Sequence, residues 1–154
     1  NALQRFAFFL MAFAVCDLFY YVFLKLILDW PSSFFTWDIL FLIPAPWVGP
    51  VLSPVIVCFT MLAFSTVILR NEKRKISKGH NWWHWFLILI GSLVIIITWM
   101  WDYVMYSGSI SDSPNRALEV LSTYVPVHFN WWMFGFGEAL VMAGIGLFYK
   151  SSKR

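Results

Sequence analysis

Charge is scarce in this chain. Only 12% of its 154 residues are Asp, Glu, Lys or Arg, against 60% hydrophobic, whereas soluble globular domains carry roughly a quarter charged residues. The composition therefore falls outside the soluble class and points to lipid as the main solvent. Cysteine is scarce too. Cys16 and Cys58 both lie in apolar runs, without CxxC spacing or paired loop positions, so no disulfide framework is expected. Both read as buried, free thiols that pack as small hydrophobes.

Histidine is limited to His80, His84 and His128, too few for the histidine-rich di-iron membrane oxygenases. His80 and His84 stand at i, i+4, a spacing that holds a metal only when further ligands are supplied. Nothing near them in the sequence completes such a set, so they read as an interfacial pair. His84 and His128 are expected on opposite membrane faces, where one haem cannot take both. A nucleophile beside a base, a phosphate loop and a haem attachment motif are all missing from the sequence. No cofactor is expected, although a bound lipid is compatible with the composition. The formal net charge of +3 does not suggest nucleic acid, because the basic residues cluster at the ends of apolar runs.

What is present is four apolar stretches, at about 6–28, 51–69, 82–106 and 131–149, each near the ~20 residues that cross a bilayer as a helix. The expected fold is an all-α integral membrane protein, a four-transmembrane-helix antiparallel bundle forming a single transmembrane domain over 1–154. The first stretch is too long for a signal-peptide core and is expected to be a retained helix. Segment 29–50 cannot continue it. Trp30-Pro31 ends the first span, and Pro44, Pro46, Pro50 and Pro54 forbid an undisturbed helix. Asp38 to Ile43 can form a short half-helix, and a proline falls in the first turn of the second span, where it costs no hydrogen bond. The segment is then either an interfacial elbow anchored by Trp30, Trp37 and Trp47 or a re-entrant piece lining a cavity. The elbow is preferred, because Asp38 is the only strongly polar residue in the proline-broken stretch 37–54.

Basic residues orient the bundle. Loop 70–81 carries five Lys or Arg against one acid, and Lys150, Lys153 and Arg154 close the chain. The outer segments 29–50 and 107–130 hold Asp29, Asp38, Asp112 and Glu119 against Arg116. The positive-inside rule places both termini and loop 70–81 in the cytoplasm. A short helix from Pro114, capped by Ser113, is expected in the last outer segment.

Polar residues inside the spans are costly in lipid and face protein or a cavity. Asp17, Tyr21 and Lys25 recur at i, i+4, i+8 on the first span, a ladder in which the phenol can bridge ammonium and carboxylate. His84, Ile88, Gly91, Ile95, Thr98 and Asp102 form a stripe on the third span that should face the bundle. On the fourth, Glu138 sits at the edge of a flat face made by Gly135, Ala139, Ala143 and Gly146, suited to close helix approach. By depth along the helices, Asp17 and Glu138 nearly match, with Asp102 shallower. The expected site is a buried polar pocket of Asp17, Tyr21, Lys25, Asp102, Asn130 and Glu138 in the outer half, with His128 at its rim and no catalytic residue assigned.

Three functions fit these residues. The first is a small non-catalytic subunit of a larger membrane complex, whose partners are the bilayer and other membrane subunits. It is suggested by the aromatic outer surface of the first span and by the absence of catalytic motifs. The second is a proton- or cation-linked carrier or ligand-binding protein that uses Asp17 and Glu138. The third is an enzyme acting on a lipid or quinone at the outer leaflet, with one of those carboxyls as general acid or base. The same carboxyls can also serve simply as polar glue between helices.

Overall fold

The structure is a computed structural model that describes residues 1–43, 45–73, 82–109 and 128–151. Among the described residues are four helices, α1 (Ala2–Leu28), α2 (Leu52–Lys73), α3 (Trp83–Ser109) and α4 (Trp131–Ser151), with a hairpin of β1 (Trp37–Phe41) and β2 (Trp47–Pro50) between α1 and α2. Each helix contains a stretch long and apolar enough to cross a membrane, so the chain is an integral membrane protein.

Local chemistry sets the ends. Asn1 caps α1, its side chain accepting from the Leu3 N–H at 2.9 Å, and Asn130 caps α4 by accepting from the Met133 N–H at 3.0 Å. Such caps satisfy donors that the first helical turn leaves open. Asp29 ends α1 in the left-handed conformation, with φ of 52°. Its backbone N–H donates to the Leu24 carbonyl, and Lys25 Nζ lies 2.7 Å from its carboxylate.

α1 runs antiparallel to α2, with Phe6 against Phe64 and Asp17 against Cys58. α3 runs antiparallel to α4, with His84 against Phe148 and Trp99 against Phe134. The two pairs meet where α2 touches α4, through Thr60 to Glu138 and Phe64 to Phe148. α1 rests on α2 and makes little contact with α3 or α4. This leaves the bundle open on one side instead of closed into a square.

The α3–α4 seam is the tightest in the molecule. A Cβ built on Gly91 would lie 2.6 Å from the Gly137 carbonyl oxygen, and one on Gly144 would lie 2.8 Å from that of His84. Glycine at 91, 137 and 144 thus permits backbone-to-backbone packing that any larger residue would wedge apart. The flat face expected from Gly135, Ala139, Ala143 and Gly146 is not this seam. All four are exposed, and a Cβ at Gly135 or Gly146 would meet nothing within 4 Å. Both sets recur at helical spacing, and packing selects the one flanked by Phe134, Val141 and Phe148. The expected stripe on α3 does face inward, since His84, Ile88, Gly91, Ile95 and Thr98 are buried and Asp102 is partly so.

The hairpin replaces the half-helix expected over Asp38 to Ile43. β1 and β2 pair antiparallel, Trp37 opposite Pro50 and Asp38 opposite Gly49. Pairing continues beyond the strands as the Val51 and Leu52 N–H groups donate to the carbonyls of Thr36 and Phe34 at 3.0 and 2.8 Å. An elbow lying beyond the helix end is also not what forms. Phe41 stacks on Phe13 with centroids 6.5 Å apart, and Phe13 is about 22 Å along the axis from Leu28 at the helical rise. The hairpin therefore folds back into the bundle, and strand pairing satisfies backbone groups that lipid would leave bare. β2 is the buried strand. Trp47 stacks on Trp99 at 5.9 Å, the Trp99 indole N–H donates to Ser53 Oγ at 2.9 Å, and the Ser53 hydroxyl donates to the Pro50 carbonyl at 2.9 Å.

Candidate functional site

The sparse contact between α1 and the α3–α4 pair leaves a cavity of about 780 Å³. Its floor and walls come from all four helices, and one wall is the hairpin, through residues such as Asp38, Phe41 and Trp47. Most of the lining is aromatic or aliphatic. Set into it are three carboxyls, Asp17, Asp38 and Glu138, together with Tyr20, Tyr21, Cys16, Cys58, Thr60 and Ser92. No lysine, arginine or histidine among the described residues lines it.

The three carboxyls are held differently. Asp38 has both oxygens covered, Oδ2 by the Tyr21 hydroxyl at 2.8 Å and Oδ1 by the Ile39 N–H at 2.8 Å. Asp17 accepts from the Cys58 thiol at 3.2 Å, a weak donor. Glu138 is 9% exposed. Its Oε2 accepts from the Thr60 hydroxyl at 2.9 Å, while Oε1 is buried with no donor among the described residues. Cys58 and Thr60 are two residues apart on α2, which sets the Asp17 and Glu138 anchors within about 3 Å of each other along that helix axis. They project from opposite flanks of α2, one toward α1 and one toward α4.

The structure brings Asp17, Tyr21 and Glu138 to this one cavity and leaves the other sequence candidates outside it. Lys25 is exposed and binds the end of its own helix, its Nζ 2.7 Å from the Asp29 carboxylate and 3.2 Å from the Pro31 carbonyl. The Asp17–Tyr21–Lys25 ladder therefore does not form. Asp38 reaches the Tyr21 hydroxyl first, and Asp29 lies one turn beyond Lys25. The ammonium's hydrogen bond, and then its charge, hold the Asp29 carboxyl below the usual carboxylate range. Asn130 is an exposed helix cap and His128 is exposed, while Asp102 is partly buried on α3 away from the cavity lining. Cys16 is exposed, not buried, whereas Cys58 is buried.

His84, in the first turn of α3, turns into the bundle. It is buried at 4% exposure with its ring against Trp85 and Phe148, centroids 5.7 and 5.2 Å apart. Its proposed partner His80 lies outside the described residues, as does the helix expected from Pro114. Among the described residues no three His, Cys, Asp or Glu side chains gather as a metal site.

Asp38, Cys58 and Thr60 are the site residues that sequence reasoning passed over. For Asp38 a signal existed. Two short apolar runs, WDILF and WVGP, flank a proline-containing connection, which is a hairpin pattern, and a hairpin folded back on α1 carries Asp38 inward. Thr60 and Cys58 have no comparable mark, since a lone small polar residue in an apolar helix more often bonds its own backbone.

No protein-family model, curated protein or solved structure matches this chain.

Proposed function

We propose that this membrane protein binds an amphipathic small molecule in the chamber between α1, the hairpin and the α2–α4 wall, with Asp17 and Glu138 as its polar anchors. The observation that carries this reading is the pairing of a large apolar cavity with a buried carboxyl oxygen, Glu138 Oε1, that lacks a donor. Ligand sites are typically concave, about 300–1,000 Å³, mostly apolar, and fitted with a few convergent polar groups. A bound molecule would fill the gap beside α1 and supply the missing hydrogen bond. The little contact between α1 and α3 or α4 favours entry sideways from the lipid, without passage through water. Cation- or proton-linked carriage is the natural extension, because carboxyls kept inside a membrane commonly mark substrate and ion pathways.

Purification into lipid nanodiscs followed by native mass spectrometry and photolabelling with an apolar diazirine probe tests the reading. A retained small molecule, or labelling of chamber residues that Phe13→Trp and Ile95→Trp suppress by filling the space, is the expected result. Labelling confined to the outward faces of the helices would overturn it.

A second reading, a non-catalytic subunit of a larger membrane complex, is favoured by one separate observation. Gly135, Ala139, Ala143 and Gly146 present a small-residue face outward from α4, and such faces suit a neighbouring helix. In-membrane cross-linking from Cys substituted at Ala139 should then capture another chain, whereas recovery of monomer alone would count against it.

A further inference from the structure

Resting on that reading, we infer that the chamber selects a lipophilic monocation, a protonated amine on an apolar body, seated with its ammonium on Glu138. Three carboxyls line the cavity and no basic side chain among the described residues does. A cationic ligand therefore meets complementary charge, and an anionic one meets repulsion in a low-dielectric site. Of the three acids, Asp38 already accepts from a phenol and a backbone N–H, and Asp17 accepts from a thiol. Glu138 keeps one oxygen buried and unmet. An ammonium has N–H donors and no acceptor, so it completes Glu138 without displacing Thr60. One cation is what that single oxygen calls for.

The rest of the ligand must be apolar, because the remaining wall is built from side chains such as Leu10, Phe13, Ile95 and Trp99. A zwitterionic phospholipid fits poorly, since its phosphate would enter with no cation to meet it. The ligand is thus a free amphiphilic amine and not a bilayer headgroup.

The test uses the full chain in phosphatidylcholine nanodiscs and three chain-matched diazirine probes, a dodecylamine, a dodecanol and a dodecanoic acid, with labelled residues mapped by peptide mass spectrometry. The amine should label the chamber at least about tenfold more tightly than the alcohol, and the acid more weakly than either, tenfold being the scale of one well-placed charged contact. Glu138→Gln should bring the amine down toward the alcohol's level, weakening the amine about tenfold more than it weakens the alcohol. Asp29→Asn, which removes an equal charge outside the chamber, should change neither. Should Glu138→Gln fail to fold, the ranking of the three probes on the wild-type chain decides. If the alcohol or the acid matches the amine inside the chamber, the inference falls and ligand binding stands. If no probe reaches the chamber at all, the binding reading itself falls.

Discussion

At the scale of single residues, a hydroxyl at Tyr21 anchors the hairpin to α1. Its bond to Asp38 is partly buried and runs to an acidic acceptor, a class worth about 1.5–3 kcal/mol. Tyr21→Phe should lower the thermal midpoint in detergent by a corresponding amount and loosen residues 37–50, seen as faster hydrogen exchange there. Lys25 behaves differently. Its pair with Asp29 lies at the exposed helix end, where ion pairs contribute little. The depressed Asp29 carboxyl favours the folded state above the ordinary carboxylate range, and that contribution fades as pH falls through its lowered value. Lys25→Gln should therefore move the Asp29 titration upward in a carboxyl-observed NMR experiment and leave the neutral-pH melting point almost unchanged. Asp17 and Glu138 were recognisable from sequence because a short acid deep in an apolar helix has no route to water. Their donors were not, since which side chain faces an acid depends on how α2 is rotated.

At the scale of elements, the α3–α4 seam rests on three glycines whose neighbours stand within van der Waals contact. Gly91→Ala, Gly137→Ala and Gly144→Ala should each destabilise the protein by about 1–3 kcal/mol, the range for overpacking a tight interior. Gly135→Ala and Gly146→Ala, with nothing near the added carbon, should be neutral or stabilising by about 0.5–1 kcal/mol through helix propensity. Melting curves of the five variants in one detergent check the contrast. The inward stripe of α3 was legible because its members keep one helical period and include groups that avoid lipid. On α4 two small-residue sets were both periodic, and only the partner helix tells them apart. The hairpin was harder still. Prolines announced the end of helix, but strand pairing between Trp37–Phe41 and Trp47–Pro50 depends on residues on either side of the turn meeting each other.

At the scale of the whole molecule, two helix pairs joined through α2 and α4 leave room for a chamber that a closed four-helix square would fill. Orientation remains an expectation from charge: with five basic residues in 70–81 and three at the end of the chain, the positive-inside rule predicts that these segments face the cytoplasm. Ser77→Cys should then resist a membrane-impermeant maleimide in intact cells and react after lysis, while Ser113→Cys should react in both. The reverse pattern would turn the bundle over. Composition and apolar run length alone determined that this is a membrane chain with four helices long and apolar enough to span among its described residues, because the hydrocarbon thickness demands about 20 apolar residues per helix whatever they pack against. Inward placement of Glu138 followed from the same solvent logic. Only the tertiary structure decided that Asp38 joins Asp17 and Glu138 while Lys25 does not, and that a hairpin forms one wall of a cavity. These depend on helix rotation, on the close approach at Gly91, Gly137 and Gly144, and on a chain reversal between α1 and α2. Each of those is settled by contacts between residues far apart in sequence.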